Sequence, residues 1–218
     1  MQLHAVIVPP PGVVSGALEA AAGVVPPPPP APEEPRRGLL DRLLARRPAE
    51  PPEVPVVAVL PAAPEAVFVR LAKFGNVTST DASSLVSALR TVVATWPSPR
   101  LHVSGVSVGQ GRPIDVMARL EGDVEALAAI YRNLNDAAKR EGWFLDRRSF
   151  RSELKVGEVE VPDGAVVPDA LPGATVEDRG EEWQATHISF LRSVHRADGP
   201  AYEEIRTLPL ATGSSSER

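Results

Sequence analysis

The chain has 218 residues, with 23 Lys+Arg against 28 Asp+Glu, 24 Pro and no Cys. An apolar fraction of 43% with 23% charged residues suits one medium globular domain or two small lobes. The missing Cys excludes disulfides, thiolate metal sites and cysteine nucleophiles, and a net charge of −5 argues against broad non-specific nucleic-acid binding while leaving room for a local basic cleft.

Leu3 to Val8 reads as a short buried strand, and Gly16 to Ala22 as a small helix after a Pro-rich turn. The start carries no basic region and breaks at Pro9-Pro10-Pro11, unlike a secretory leader. No apolar run is long enough to span a bilayer, so a cytoplasmic protein without a transmembrane segment is expected. Proline is unevenly spread: residues 26–64 hold thirteen of the 24. Proline fixes φ and lacks an N–H, so residues 25–55 read as an insertion in extended polyproline conformation. Inside it, Arg36 to Arg47 carries five Arg and one Asp, with Leu39, Leu40, Leu43 and Leu44 on one helical face. Such a basic amphipathic helix suits docking to a protein partner or an anionic surface, or is a transient helix in a linker.

Folded sequence resumes at Val56 to Leu60, and Ala66 to Leu71 reads as an alternating strand. Ser79/Thr80-Asp81 signals a helix start. Leu85, Val86, Leu89, Val92, Val93 and Trp96 then keep helical spacing until Pro97. Leu101 to Val108 and Ile114 to Leu120 flank Gly109-Gln110-Gly111 as a hairpin. Asp123 is expected to cap a second long helix that stops at Gly142. Phe150 to Val156 reads as a strand, 162–181 as a polar loop, and Trp183 to Leu191 and Tyr202 to Leu208 as the last strands before a flexible tail at 211–218. Helices and hairpins mix without βαβ alternation. The expected fold class is therefore α+β, built from 1–24 and 56–210, and the two long helices, each preceding strands, hint at two similar lobes.

Four His (His4, His102, His187 and His195) fall at no zinc-motif spacing, so neither a metal site nor a cofactor is expected. His4 reads as a core or cleft-edge residue and His195 as a solvated one in a turn. Trp96, Trp143 and Trp183 read as core or lobe-edge residues, and Arg147, Arg148 and Arg151 as a basic rim or a solvated face.

Several segments resemble, in order, the 2′-5′ RNA ligase-like proteins of the two-histidine phosphoesterase superfamily. Leu3 to Pro10 is similar to their first strand, and Pro64 to Val77 to their first HxT segment. Arg148 to Val156 is similar to their second HxT segment. Trp183 to Ser193, Tyr202 to Ile205 and Pro209-Leu210 are similar to their C-terminal strands. The resemblance implies two pseudo-symmetric lobes of antiparallel sheet and helices around a central cleft, each giving a His and a hydroxyl residue from one strand. The two His act as general acid and base on a 2′,3′-cyclic phosphate or 2′-5′ linkage, and the hydroxyls hold the phosphate. Strand alternation points both residues of an HxT to one side, and imidazole titrates near neutrality.

This chain departs from that pattern at both motifs. The first HxT aligns with Phe68-Val69-Arg70 and the second with Glu153-Leu154-Lys155. Each general acid or base is worth roughly 10²–10⁴ in rate, so loss of both should leave little of the family reaction. Arg70 and Lys155 would stand where hydroxyls hold phosphate, and Phe68 could stack on a base. The expected function is binding of a nucleotide or RNA end, or a scaffold role, without turnover. A blander outcome is that Glu153 pairs with Arg70 or Lys155 and closes the cleft as plain structure. The alternative is an active cyclic phosphodiesterase using His102/Ser104 and His187/Ser189. These two HxS pairs are 85 residues apart, the same distance as between positions 68 and 153.

Overall fold

The computed structural model describes residues 1–25, 57–143, 145, 150–163, 165, 167–169, 171–196 and 199–211. The Pro-rich insertion with its Arg36–Arg47 helix, Arg147 and Arg148, and the tail beyond 211 lie outside the described residues.

The chain opens with β1 (Gln2–Ile7) and α1 (Pro11–Ala22). The helix starts five residues earlier than the sequence suggests. Pro11 sits in the first turn, where its missing N–H costs nothing and its fixed φ suits the helix. After β2 (Ala58–Pro61) and a short 3₁₀ turn at Pro64–Ala66 comes β3 (Val69–Asn76), so Ala66 to Phe68 precedes the strand rather than forming it. Then follow α2 (Ser79–Val93), β4 (Arg100–Val108), β5 (Asp115–Gly122) and α3 (Val124–Arg140). The chain finishes with β6 (Glu153–Glu160), β7 (Thr175–Glu177), β8 (Trp183–Gln184), β9 (His187–Arg196) and β10 (Gly199–Pro209). The expected strand at Phe150 thus begins at Glu153, and the expected loop at 162–181 contains β7. His195 lies exposed in β9, paired with Pro200, and not in a turn.

Two antiparallel sheets result, giving the α+β class read from the sequence. Sheet A has the order β10-β9-β1-β3, and sheet B the order β2-β6-β5-β4-β7 with β8 also paired to β4. Helix α1 packs on β4, β5 and β6 of sheet B. Helices α2 and α3 pack on each other and reach β10 and β3 of sheet A. Leu3, Ala5 and Ile7 of β1, Phe190 of β9, and the apolar faces of all three helices share one core. Each Leu, Ile or Phe buried there contributes on the order of 1.5–3 kcal/mol. Trp96 and Trp183 are buried, and Trp143 packs edge-on against Phe74 at 5.9 Å between ring centres. No helix among the described residues is long and apolar enough to cross a membrane.

Helix ends explain two local differences. The N-cap of α2 is Thr78, not the residues after it. Its Oγ1 accepts from the Asp81 N–H at 3.1 Å, while Asp81 accepts from the Thr78 N–H at 3.4 Å. Thr78→Ala is expected to cost about 1 kcal/mol, read as a lower urea midpoint at unchanged slope. Asp123 spends its carboxylate on the Arg100 N–H at 3.0 Å, tying β4 to the β5–α3 turn instead of capping α3. Gly142 ends α3 as expected. Its φ of 82° is open to Gly, and its N–H reaches the Lys139 carbonyl at 3.0 Å.

Candidate functional site

Each sheet packs one face into the core shared with the helices; the other face of sheet A carries a small second apolar cluster beside charged residues. On sheet A the register sets His4 opposite Lys73 and Leu191, and Val6 opposite Arg70 and Ser189. Those residues therefore share the face of sheet A turned away from the main core, on which His4, Val6, Ser189 and Leu191 are buried and Arg70 and Lys73 reach solvent. Two bulges in β3 make this possible. Leu71 and Phe74 fall out of register and turn into the core, so Arg70 and Lys73, three apart, both point outward.

Phe68, just before β3, is 5% exposed and belongs to a small second apolar cluster with Val6 and Leu191, against which Tyr202 packs. Its ring meets Tyr202 edge-to-face at 5.0 Å, and the Arg70 guanidinium lies 5.8 Å from its centre. Arg70 is exposed, and among the described residues neither Arg70 nor Lys73 has an ion-pair partner. Beside them His4 is 2% exposed, edge-on to Tyr202 at 5.7 Å, with neither ring nitrogen hydrogen-bonded. Burial, helped by the charges of Arg70 and Lys73, pushes the His4 imidazole down to about 4.

On sheet B, Glu153 lies opposite Arg119, Lys155 opposite Met117, and Asp115 opposite Glu158. Lys155 is held by Asp115 at 2.8 Å and by close contact with Glu158. Burial works against its charge, but the hydrogen bonds and charges of those two carboxylates prevail and raise its pKa above the usual lysine value. The suggested pairing of Glu153 with Arg70 or Lys155 does not form among the described residues, because Lys155 is engaged within its own sheet. Glu153 instead borders an open pocket of about 500 Å³, and its Oε2 is buried without a hydrogen-bond partner.

The two HxS pairs also divide between the sheets. His102 sits half-buried on β4 opposite Glu121, and the Ser104 hydroxyl is 3.5 Å from the Arg119 carbonyl. His187 opens β9, its Nδ1 3.0 Å from the Thr186 hydroxyl. Ser189 is fully buried and donates to Glu204 at 2.9 Å, which leaves its hydroxyl no surface on which to hold a phosphate.

Among the sequence-chosen residues, Phe68 and Arg70 are brought together on sheet A, and Glu153 and Lys155 share sheet B. His4, Lys73, Tyr202 and Arg119 complete these surfaces and were not singled out as site residues. Only the β3 bulges put Lys73 beside Arg70, and no local signal marks them. Among the described residues no cluster of His, Asp and Glu fits a metal ion.

No protein-family model matches the sequence, and no curated protein matches it significantly. Solved structures do match. The protein TT0787 of Thermus thermophilus aligns at a TM-score of 0.61 and 18% identity, covering 97% of this chain and 99% of its own. Escherichia coli LigT complexed with 3′-AMP aligns at 0.62 and 15% identity, covering 97% and 99%. The chain has the LigT-like fold. A crystal structure described as a phosphoesterase aligns at 0.61 and 15%, again over 97% of this chain. LigT itself has also been crystallised with phosphate, with NADP+ and with ATP. The LigT-like fold accounts for the two antiparallel sheets. It also accounts for the order of weak segment matches along the sequence.

Proposed function

We propose that this chain is a 2′-5′ RNA ligase-like protein that binds nucleotide or RNA phosphate without turning it over, Phe68 and Glu153 standing at the two lost histidine positions. The observation that carries this reading is the setting of Phe68. A general base needs a titratable group in reach of substrate, whereas this ring cannot carry a proton and is packed against Val6, Leu191 and Tyr202. Arg70 supports the binding half of the reading. It is exposed, lies beside an aromatic ring and is uncommitted to any described carboxylate, which suits a fork for phosphate oxygens. Lys155 contributes less, because Asp115 and Glu158 already neutralise it. The complexes of LigT with phosphate and nucleotides make the same ligand class the first to try.

Equilibrium titration with 3′-AMP is the direct test. Saturable binding that weakens with added salt is expected, because the contact is between a guanidinium and a phosphate. Absence of saturable binding at millimolar nucleotide would reject the reading.

A further inference from the structure

Strand β3 sets two cations side by side on the face of sheet A turned away from the main core. In a regular strand, residues three apart point to opposite sides. Pairing with β1 skips Leu71, so Arg70 lies opposite Val6 and Lys73 opposite His4, neighbouring same-face positions of β1. Such positions are about 7 Å apart, a gap that one phosphate group spans between two long side chains. Both charges bear on His4. They help burial to hold its imidazole neutral, so near pH 7 the ring brings no charge of its own to this face.

Neither cation is compensated. Among the described residues no carboxylate pairs with Arg70 or Lys73, and neither side chain donates a hydrogen bond. The Phe68 ring, 5.8 Å from the Arg70 guanidinium, attracts it but neutralises no charge. Glu204 shares the cross-strand row of Lys73 and His4, but it stands on β10 with β9 and β1 intervening, and its Oε2 accepts from Ser189. Lys155 on β6, by contrast, is held by two carboxylates. Two bare cations on adjacent positions repel each other, and an anion bound to both relieves that repulsion. The gain grows with the charge the anion brings. We propose that Arg70 and Lys73 form a two-cation clamp for a terminal phosphate, selecting the dianion of a phosphomonoester over the single charge of a cyclic or bridging diester. The assignment rests on the phosphate-binding reading above and deepens it, naming the ligand class as a nucleotide or RNA end with a free terminal phosphate. It also adds Lys73 to Arg70 as a binding residue.

The test is a low-salt titration of the full chain with 3′-AMP, with the methyl ester of its phosphate, and with 2′,3′-cyclic AMP. At about pH 7.5 a phosphomonoester, with its second pKa near 6, is largely a dianion, and the two diesters carry one charge each. One further charge at contact distance in water is worth about 5-fold against one cation and about 25-fold against two. The native chain is therefore expected to bind 3′-AMP about 25-fold tighter than the methyl ester, with the cyclic nucleotide ranking beside the ester. Lys73→Met, which removes the charge but keeps an unbranched stem, narrows the ratio to about 5-fold, and Lys73→Arg keeps it wide. Lys139→Met, on an exposed lysine of α3 paired with Asp136, leaves it unchanged. Circular dichroism checks that each variant is folded. A native ratio of about 5-fold or less overturns the clamp while leaving the phosphate-binding reading in place. A wide ratio that survives Lys73→Met, or one that narrows equally in Lys139→Met, overturns the role of Lys73. Failure of all three ligands to bind overturns both readings.

Discussion

Replacing Arg70 with alanine lowers nucleotide affinity about 10–100-fold, whereas Lys155→Ala changes it by no more than about 5-fold. The first figure follows from losing charge-assisted hydrogen bonds to phosphate, each worth about 1.5–3 kcal/mol. The second follows from the double neutralisation of Lys155 by Asp115 and Glu158, which leaves a partly exposed pair of small net worth, about 0–1 kcal/mol. Sequence alone treats the two cations as equivalent, since each follows its motif's first position by two residues. Their neighbours separate them. Arg70 faces Phe68, while Lys155 faces carboxylates of its own sheet. Titration of both single variants checks the contrast. Equal losses, or a larger loss at Lys155, would show that phosphate sits on sheet B instead.

The second large effect is on stability in acid. His4 is held neutral in the folded chain, with a pKa of about 4 against about 6.5 when unfolded. Above pH 6.5 neither state takes the proton, so the neutral ring's contribution is fully present. As pH falls from 6.5 towards 4, the unfolded chain binds a proton that the folded chain refuses, and stability is lost. Below 4 both bind it and the dependence flattens. The difference amounts to about 3 kcal/mol across that window. Denaturant unfolding at pH 7 and pH 4 should therefore show the native chain losing about that much more stability than His4→Leu. The His4 ring should titrate near 4 by NMR. Parallel losses in the two chains, or a ring titrating near 6.5, would contradict this account.

Much of the fold was legible in the residues. A short apolar run marked β1, a glycine-centred hairpin marked β4 and β5, apolar spacing marked α2 and α3, and Gly142 marked the end of α3. The segment order carried the resemblance that the LigT-like fold explains. What was not legible has physical causes. Helix α1 hides behind Pro11, which reads as a breaker but is tolerated in a first turn. Asp123 looks like a cap yet satisfies a backbone N–H on β4, a contact between residues 23 apart in sequence. The open face of sheet A is assembled from four strands, and two bulges shift the phase of β3. Period-two reading therefore could not bring Lys73 beside Arg70, or Tyr202 against Phe68. The same limit applies to Ser189, half of an HxS pair by sequence but committed to Glu204 by the β9–β10 pairing.

The central claim is that the fold is retained while the acid–base pair is not. The most direct measurement follows 2′,3′-cyclic AMP hydrolysis and 3′-AMP binding on the same preparation, for the native chain and for His102→Ala and His187→Ala. The account predicts saturable binding in all three and hydrolysis at the rate of buffer alone. Turnover above buffer that disappears with either histidine would contradict it and assign catalysis to the His102/Ser104 and His187/Ser189 pairs.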